Sequence, residues 1–120
     1  MSDKLWTVVG KLTDQTRAKK LTWEDRSSLS QGDQFQVIFD DTLVEIKKDE
    51  SRYWDEDGEE SWIPSVRLEV RNYKAQLVAL LQATERDNNY EKLESLFEAA
   101  LANARNQEGV IDSLLQKLGA

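Results

Sequence analysis

The chain has 120 residues, of which 39% are hydrophobic and 32% charged, with 23 acids against 16 bases, no histidine and no cysteine. That is the length of one ordinary domain, residues 1–120, with the balance of a folded, soluble chain. The absent cysteines exclude disulfides, thiolate nucleophiles and cysteine-held metals. The absent histidines remove the commonest general base and metal ligand.

No apolar run approaches the roughly 18–20 residues that span a bilayer, and residues 1–12 mix acid and base without the apolar core of a secretory signal. The expected location is the cytoplasm. The formal net charge is −7 and the sequence pI about 4.6. An acidic chain repels nucleic-acid backbones unless its bases are segregated, and the basic clusters here are small: Arg17, Lys19 and Lys20, and the pair Lys47 and Lys48.

In chain order, Ser2 is placed to cap a first helix with Asp3 in its first turn. Leu5, Val8, Val9 and Leu12, extended by Thr16, give that helix an apolar stripe, with Trp6 at its edge. Arg17, Lys19 and Lys20 sit where a helix C-terminus favours positive charge. Residues 21–24 begin a period-two alternation and predict a short strand, and residues 27–33 have loop chemistry. Residues 34–40 alternate, with Phe35, Val37 and Phe39 on one face. Thr42, Val44 and Ile46 continue a buried face after a tight turn at Asp40 and Asp41, so the pair reads as a β-hairpin.

Residues 49–60 depart from the rest of the chain in composition. They hold seven acids and one base, a net of −6 out of the chain's −7. Asp57-Gly58 is a turn signal, so the segment predicts an exposed loop or a long hairpin tip. Pro64, the chain's one proline, marks an edge or boundary. Val66, Leu68 and Val70 alternate with Arg67, Glu69 and Arg71 as a half-buried strand. Residues 77–82 fit either a fifth strand or a short helix spanning 72–84, which periodicity alone does not separate. Residues 88–104 carry Tyr90, Leu93, Leu96, Phe97, Ala100, Leu101 and Ala104 at helical spacing, and Asn88 with Glu91 has the spacing of a capping box. Residues 106–109 interrupt this helix, and Val110, Ile111, Leu114, Leu115 and Leu118 form a last apolar stripe. The expected plan is α+β: an N-terminal helix, an antiparallel meander of four to five strands, and two C-terminal helices packed on one sheet face.

Several of these features occur together elsewhere: Leu5-Trp6, Thr16, Lys20-Leu21-Thr22-Trp23, the hairpin at Asp40-Asp41, and the Ala-rich stretch from Tyr90 to Leu118. In them the chain resembles a loose group of small bacterial α+β proteins that carry no known activity. The resemblance implies the fold, and within it a strand at residues 77–82. It implies no site residue.

Chemical motifs are sparse. There is no phosphate-binding loop, dinucleotide fingerprint or Gly-x-Ser-x-Gly elbow. Placing Gly58 at the sixth position of a calcium loop puts Tyr53 first and Pro64 last, where acids are required, so that motif fails. No catalytic residue, metal or cofactor is expected. The acidic segment does carry aromatic anchors. Tyr53, Trp54 and Trp62, set among Asp55, Glu56, Asp57, Glu59 and Glu60, suit a surface that docks a basic protein partner. The expected function is therefore a non-enzymatic interaction or regulatory protein of the immunity, adaptor or inhibitor type. The alternative is a nucleotide-binding or sequestering protein. It would stack a base in a Trp-lined pocket around Trp23, with Arg52, Arg67, Arg71 or the Lys19-Lys20 pair on phosphate. Exposure of Ile38, Leu43 or the apolar side of residues 110–118 would point to a homodimer.

Overall fold

A computed structural model describes residues 2–119; the side chain of Ser2, and with it the expected cap, lies outside the described residues. The order is α1 (Ser2–Arg17), β1 (Glu24–Asp25), β2 (Gln34–Phe39), β3 (Thr42–Trp54), β4 (Glu60–Arg71), β5 (Leu77–Thr84), α2 (Tyr90–Ala104) and α3 (Gln107–Lys117). The five strands form one antiparallel sheet in chain order, which is the expected α+β meander. Residues 77–82 are strand.

The apolar alternation builds the core. Val44 and Ile46 on β3 lie opposite Val70 and Leu68 on β4, so all four side chains share one face. α2 lies across that face and seals Leu93, Leu96, Phe97 and Ala100 against it. Phe97 meets Phe35 of β2 edge to face, with ring centroids 5.5 Å apart. α1 packs along α2 through Val9, Leu12, Thr13 and Thr16. Val8 is 40% exposed, so the buried line runs Val9, Leu12, Thr13 and Thr16, with Trp6 packed against the core beside it, rather than through Val8. Phe39 also departs from the expected buried face. It is 37% exposed because it ends β2 beside the Asp40-Asp41 turn, at the margin of the helix layer.

α1 stops by a Schellman arrangement. Lys19 takes φ 61°, its N–H donates to the Thr16 carbonyl at 3.1 Å, and the Lys20 N–H donates to Gln15 at 2.9 Å. The strand expected over residues 21–24 is cut to Glu24–Asp25 for a definite reason. The Asn103 side-chain amide, projecting from α2, takes the place of a neighbouring strand. Its Nδ2 donates to the Leu21 carbonyl at 2.9 Å, and its Oδ1 accepts the Trp23 N–H at 2.7 Å. Trp23 is thereby fixed in the core, with its indole Nε1 donating to Thr16 Oγ1 at 2.8 Å.

Two further expectations are corrected. Pro64 lies in β4, an interior strand, yet its position behaves as an edge. β5 ends at Thr84 opposite Ser65, and the Pro64 carbonyl accepts from the Glu85 N–H of the following loop at 3.1 Å. The missing proline N–H therefore faces the side where no strand runs. The capping box of Asn88 and Glu91 does not form. α2 starts at Tyr90 after Asn89, which makes no side-chain cap. The preceding turn is held instead by Asp87, whose carboxylate accepts the Thr84 N–H at 2.8 Å.

The far end of α2 is latched by Arg105. Its guanidinium donates to Asp25 at 3.0 Å and Asp33 at 2.8 Å. Hydrogen bonds from Ser27 and then from Arg105 hold the Asp25 carboxyl down to about 2. Asn106, in the left-handed region at φ 48°, then turns the chain into α3. A Cβ on Gly109 would meet the end of the Asn106 side chain, which would have to shift to admit it. α3 has no buried side chain; Val110, Ile111, Leu114, Leu115 and Leu118 are between 48% and 71% exposed.

Two stability measurements check this account. Asn103→Ala strands a backbone carbonyl and an N–H beside the core, so it should lower the unfolding free energy by about 2–4 kcal/mol in a denaturant titration. Gly10, mid-helix in α1, has open space where a Cβ would stand. Gly10→Ala should therefore raise stability by about 0.5–1 kcal/mol.

Candidate functional site: the acidic hairpin tip

β3 and β4 stay paired for their whole length, from Leu43 opposite Arg71 out to Trp54 opposite Glu60. Of the two expectations, exposed loop or long hairpin tip, the structure has the hairpin, and only residues 55–59 turn. The Asp55 carboxylate organises the turn, its Oδ1 accepting the N–H groups of Asp57 and Glu59 at 2.9 Å each. Gly58 supplies the positive φ of 80°. Asp55 is thus a structural residue as well as a charge.

Strand alternation divides the tip between two faces. Arg52 lies opposite Trp62 and two residues from Trp54, on the face that carries the core further back. The Arg52 guanidinium is 5.4 Å from the Trp62 ring centroid and 6.0 Å from that of Trp54, and its Nε lies 3.1 Å from Glu60 Oε1. Both indoles remain more than half exposed, at 54% and 56%. Tyr53 points to the other face, where Arg86 stacks on it at 4.2 Å. The predicted partner-binding residues are therefore contiguous along the chain but not one surface. Trp54, Trp62 and Glu60 form one patch with Arg52, which sequence reasoning had assigned to a ligand pocket. Glu56, Asp57 and Glu59 rim its end, and Tyr53 lies behind. The four acids of residues 55–59 face no base within the turn, since Arg52, the one base of residues 49–60, is engaged by Glu60.

The residues of the nucleotide alternative are not brought together. Trp23 is 2% exposed in the core, so no Trp-lined pocket forms around it. Arg67 and Arg71 project from the opposite sheet face to Arg52 and grip Glu69, each with a nitrogen 2.7 Å from a carboxylate oxygen. The Arg67 Nε lies close to that oxygen but off its hydrogen-bond axis. Burial disfavours the charged Glu69 carboxylate, but the Arg71 hydrogen bond and the charges of Arg67 and Lys47 outweigh it and lower its pKa. These bases are committed to a carboxylate of their own chain. Lys19 is likewise paired, 2.7 Å from Glu108, at the mouth of a ≈ 680 Å³ groove between the ends of α1 and α2 and the start of α3. Among the described residues, no group of three or more acids is placed to hold a metal ion. No helix among them is long and apolar enough to cross a membrane.

Comparison with protein-family models, with curated proteins and with solved structures finds no match to this chain. The site rests on its geometry, which makes a direct prediction. Because both indoles lie outside the core, Trp54→Ala and Trp62→Ala should each cost less than about 1 kcal/mol of stability. The measurement is thermal unfolding followed at a wavelength reporting the sheet. Core truncation at Phe97→Ala, by contrast, should cost about 3–5 kcal/mol.

Proposed function

We propose that this protein is a non-enzymatic binding module that docks a basic protein partner through the β3–β4 hairpin tip. The observation that carries this reading is the Trp62–Arg52–Trp54 ladder, an exposed aromatic pair on a rigid ribbon with uncompensated acids at its end. Aromatic side chains give large contact area for little entropy loss, and here the flanking strand pairing has already fixed their backbone. The acids favour approach by a positively charged surface and disfavour acidic competitors. Arg52 adds order by holding both rings at the cost of one local charge, which Glu60 neutralises. Nothing in this arrangement requires bond-making chemistry. The tip is an anchor and an electrostatic guide, as expected of an adaptor, inhibitor or immunity-type protein. Mimicry of DNA is less well supported, because the charge occupies one turn rather than a phosphate-like track.

The test separates docking from folding. A photo-crosslinking amino acid replacing Glu50, exposed and next to Arg52 on the ladder face, should capture a basic protein in the native host. The capture should be lost when Glu56, Asp57 and Glu59 are changed to lysine, with Asp55 kept so that the turn stays intact. The purified complex should weaken at least tenfold between 50 and 500 mM salt, because exposed charges are screened over about 10 Å at 0.1 M and less above it. A captured partner that is acidic, or one whose affinity ignores both the charge reversal and the salt, would count against the proposal.

A further inference from the structure

The two edges of the sheet are built differently. At one edge, β1 has two residues, both acidic, and Arg105 from the end of α2 lies against Asp25. A short, charged, covered edge discourages another strand from pairing there. At the other edge, β5 runs for eight residues, Leu-Val-Ala-Leu-Leu-Gln-Ala-Thr, without a charge or a proline. Leu77, Val78 and Leu80 are 44%, 58% and 42% exposed. One irregularity, a shift in pairing beside Val70 and Arg71, leaves Val78 without a partner on β4 and is confined to the start of the strand. From Ala79 to Thr84 the pairing is regular, and among the described residues no strand lies on the outer side of β5.

The sequence of this edge is nearly palindromic. Residues 76–82 read Gln-Leu-Val-Ala-Leu-Leu-Gln, with the same chemistry in either direction from Ala79. We propose that β5 pairs antiparallel with β5 of a second copy, about a two-fold axis at Ala79, joining two five-stranded sheets into one of ten strands. In that register Ala79 lies opposite Ala79 and Val78 opposite Leu80 of the second copy, while Leu77 and Gln76, past the irregularity, approach its Leu81 and Gln82. A two-fold axis normal to the sheet keeps the helices of both copies on one face; the shift beside Val70 and Arg71 turns Leu77 to the face away from the helices, so matched parity holds over Val78–Leu80 of each copy. Charge selects the same arrangement. Two chains of net charge −7 repel, and the uncharged β5 edge brings no acid of its own into the contact. Because β5 runs toward the hairpin tip, antiparallel pairing sends the two acidic tips to opposite ends, whereas parallel pairing would set them side by side. The result is a bivalent protein with its two tips pointing apart.

The chain has no cysteine, so Ala79→Cys introduces a single thiol on the proposed axis. Directly opposed residues of an antiparallel pair have Cα atoms about 4.5–5.5 Å apart, within disulfide range. Under copper–phenanthroline oxidation this variant should form a covalent dimer at least tenfold faster than Leu29→Cys, a fully exposed loop control. By light scattering, the unmodified protein should be dimeric at roughly 100 µM. Leu80→Lys should weaken the dimer by roughly 100-fold while moving the melting temperature of the separated chain by less than about 3 °C. A monomer at that concentration would overturn the proposal, as would equal crosslinking of the two thiol variants. So would a dimer that survives Leu80→Lys; if Leu114→Glu then dissolves it, the contact belongs to the apolar stripe of α3 instead.

Discussion

The β3–β4 ribbon runs on well past the helix that crosses it, and most of the molecule follows from that overhang. Twelve paired positions at about 3.3 Å each extend roughly 40 Å, whereas α2 crosses the sheet, touching all five strands, and covers only the end of the ribbon away from the turn. Over the covered length, the helix-side positions are Val44, Ile46, Val66, Leu68 and Val70. Beyond it, the same positions become Lys48, Glu50, Arg52 and Trp54 on β3 and Pro64, Trp62 and Glu60 on β4. Lys48 marks the border. Its ammonium reaches Glu94 and Glu98 on α2, 3.4 and 3.6 Å away, and lies over Phe97, so the core closes with a charge and not a gap. What projects past this point carries side chains that the fold does not need.

Charge is sorted along the same division. Many of the bases have structural assignments: Lys47, Arg67 and Arg71 surround Glu69, Lys48 ties β3 to α2, Arg105 ties α2 to β1, and Lys19 ties the end of α1 to the start of α3. Buried or half-buried charges are tolerable only with such partners. At the tip the pattern reverses, with one base among seven acids. The surplus negative charge lies where water solvates it and where repulsion among the acids strains no packed element. A partner would meet both the field and the indoles at one place, on a ribbon whose register is fixed from end to end.

The helix layer has a second margin in α3. Asn106 breaks the line of α2, and the following helix turns its apolar side chains outward rather than into the core. β5 likewise presents aliphatic side chains and open backbone at the sheet edge. These surfaces lie at opposite sides of the sheet, because Asn103 and Arg105 bring the end of α2 to the β1 edge. Each is therefore available without obstructing the other or the hairpin tip.

The sequence alone determined most of the elements and their order, while periodicity left residues 77–82 open between strand and helix. Helical spacing in residues 90–104 and alternation in residues 35–39, 42–46 and 66–70, broken only by Ile38 and Leu43, are local properties, set by which side of a helix or strand each residue occupies. The concentration of acid in residues 49–60 was equally plain, because charge can be counted without a fold. Only tertiary structure decided what depends on residues distant in the chain. Asn103 shortened a strand eighty residues away by occupying its backbone groups. The capping box at Asn88 gave way to a turn held by Asp87. Trp23 was claimed by the core and Arg67 and Arg71 by Glu69, while Arg52 joined the two indoles across the ribbon. Alternation announces a face but not its depth of cover. Whether a tryptophan on that face is buried or offered to a partner depends on where the helix above it ends.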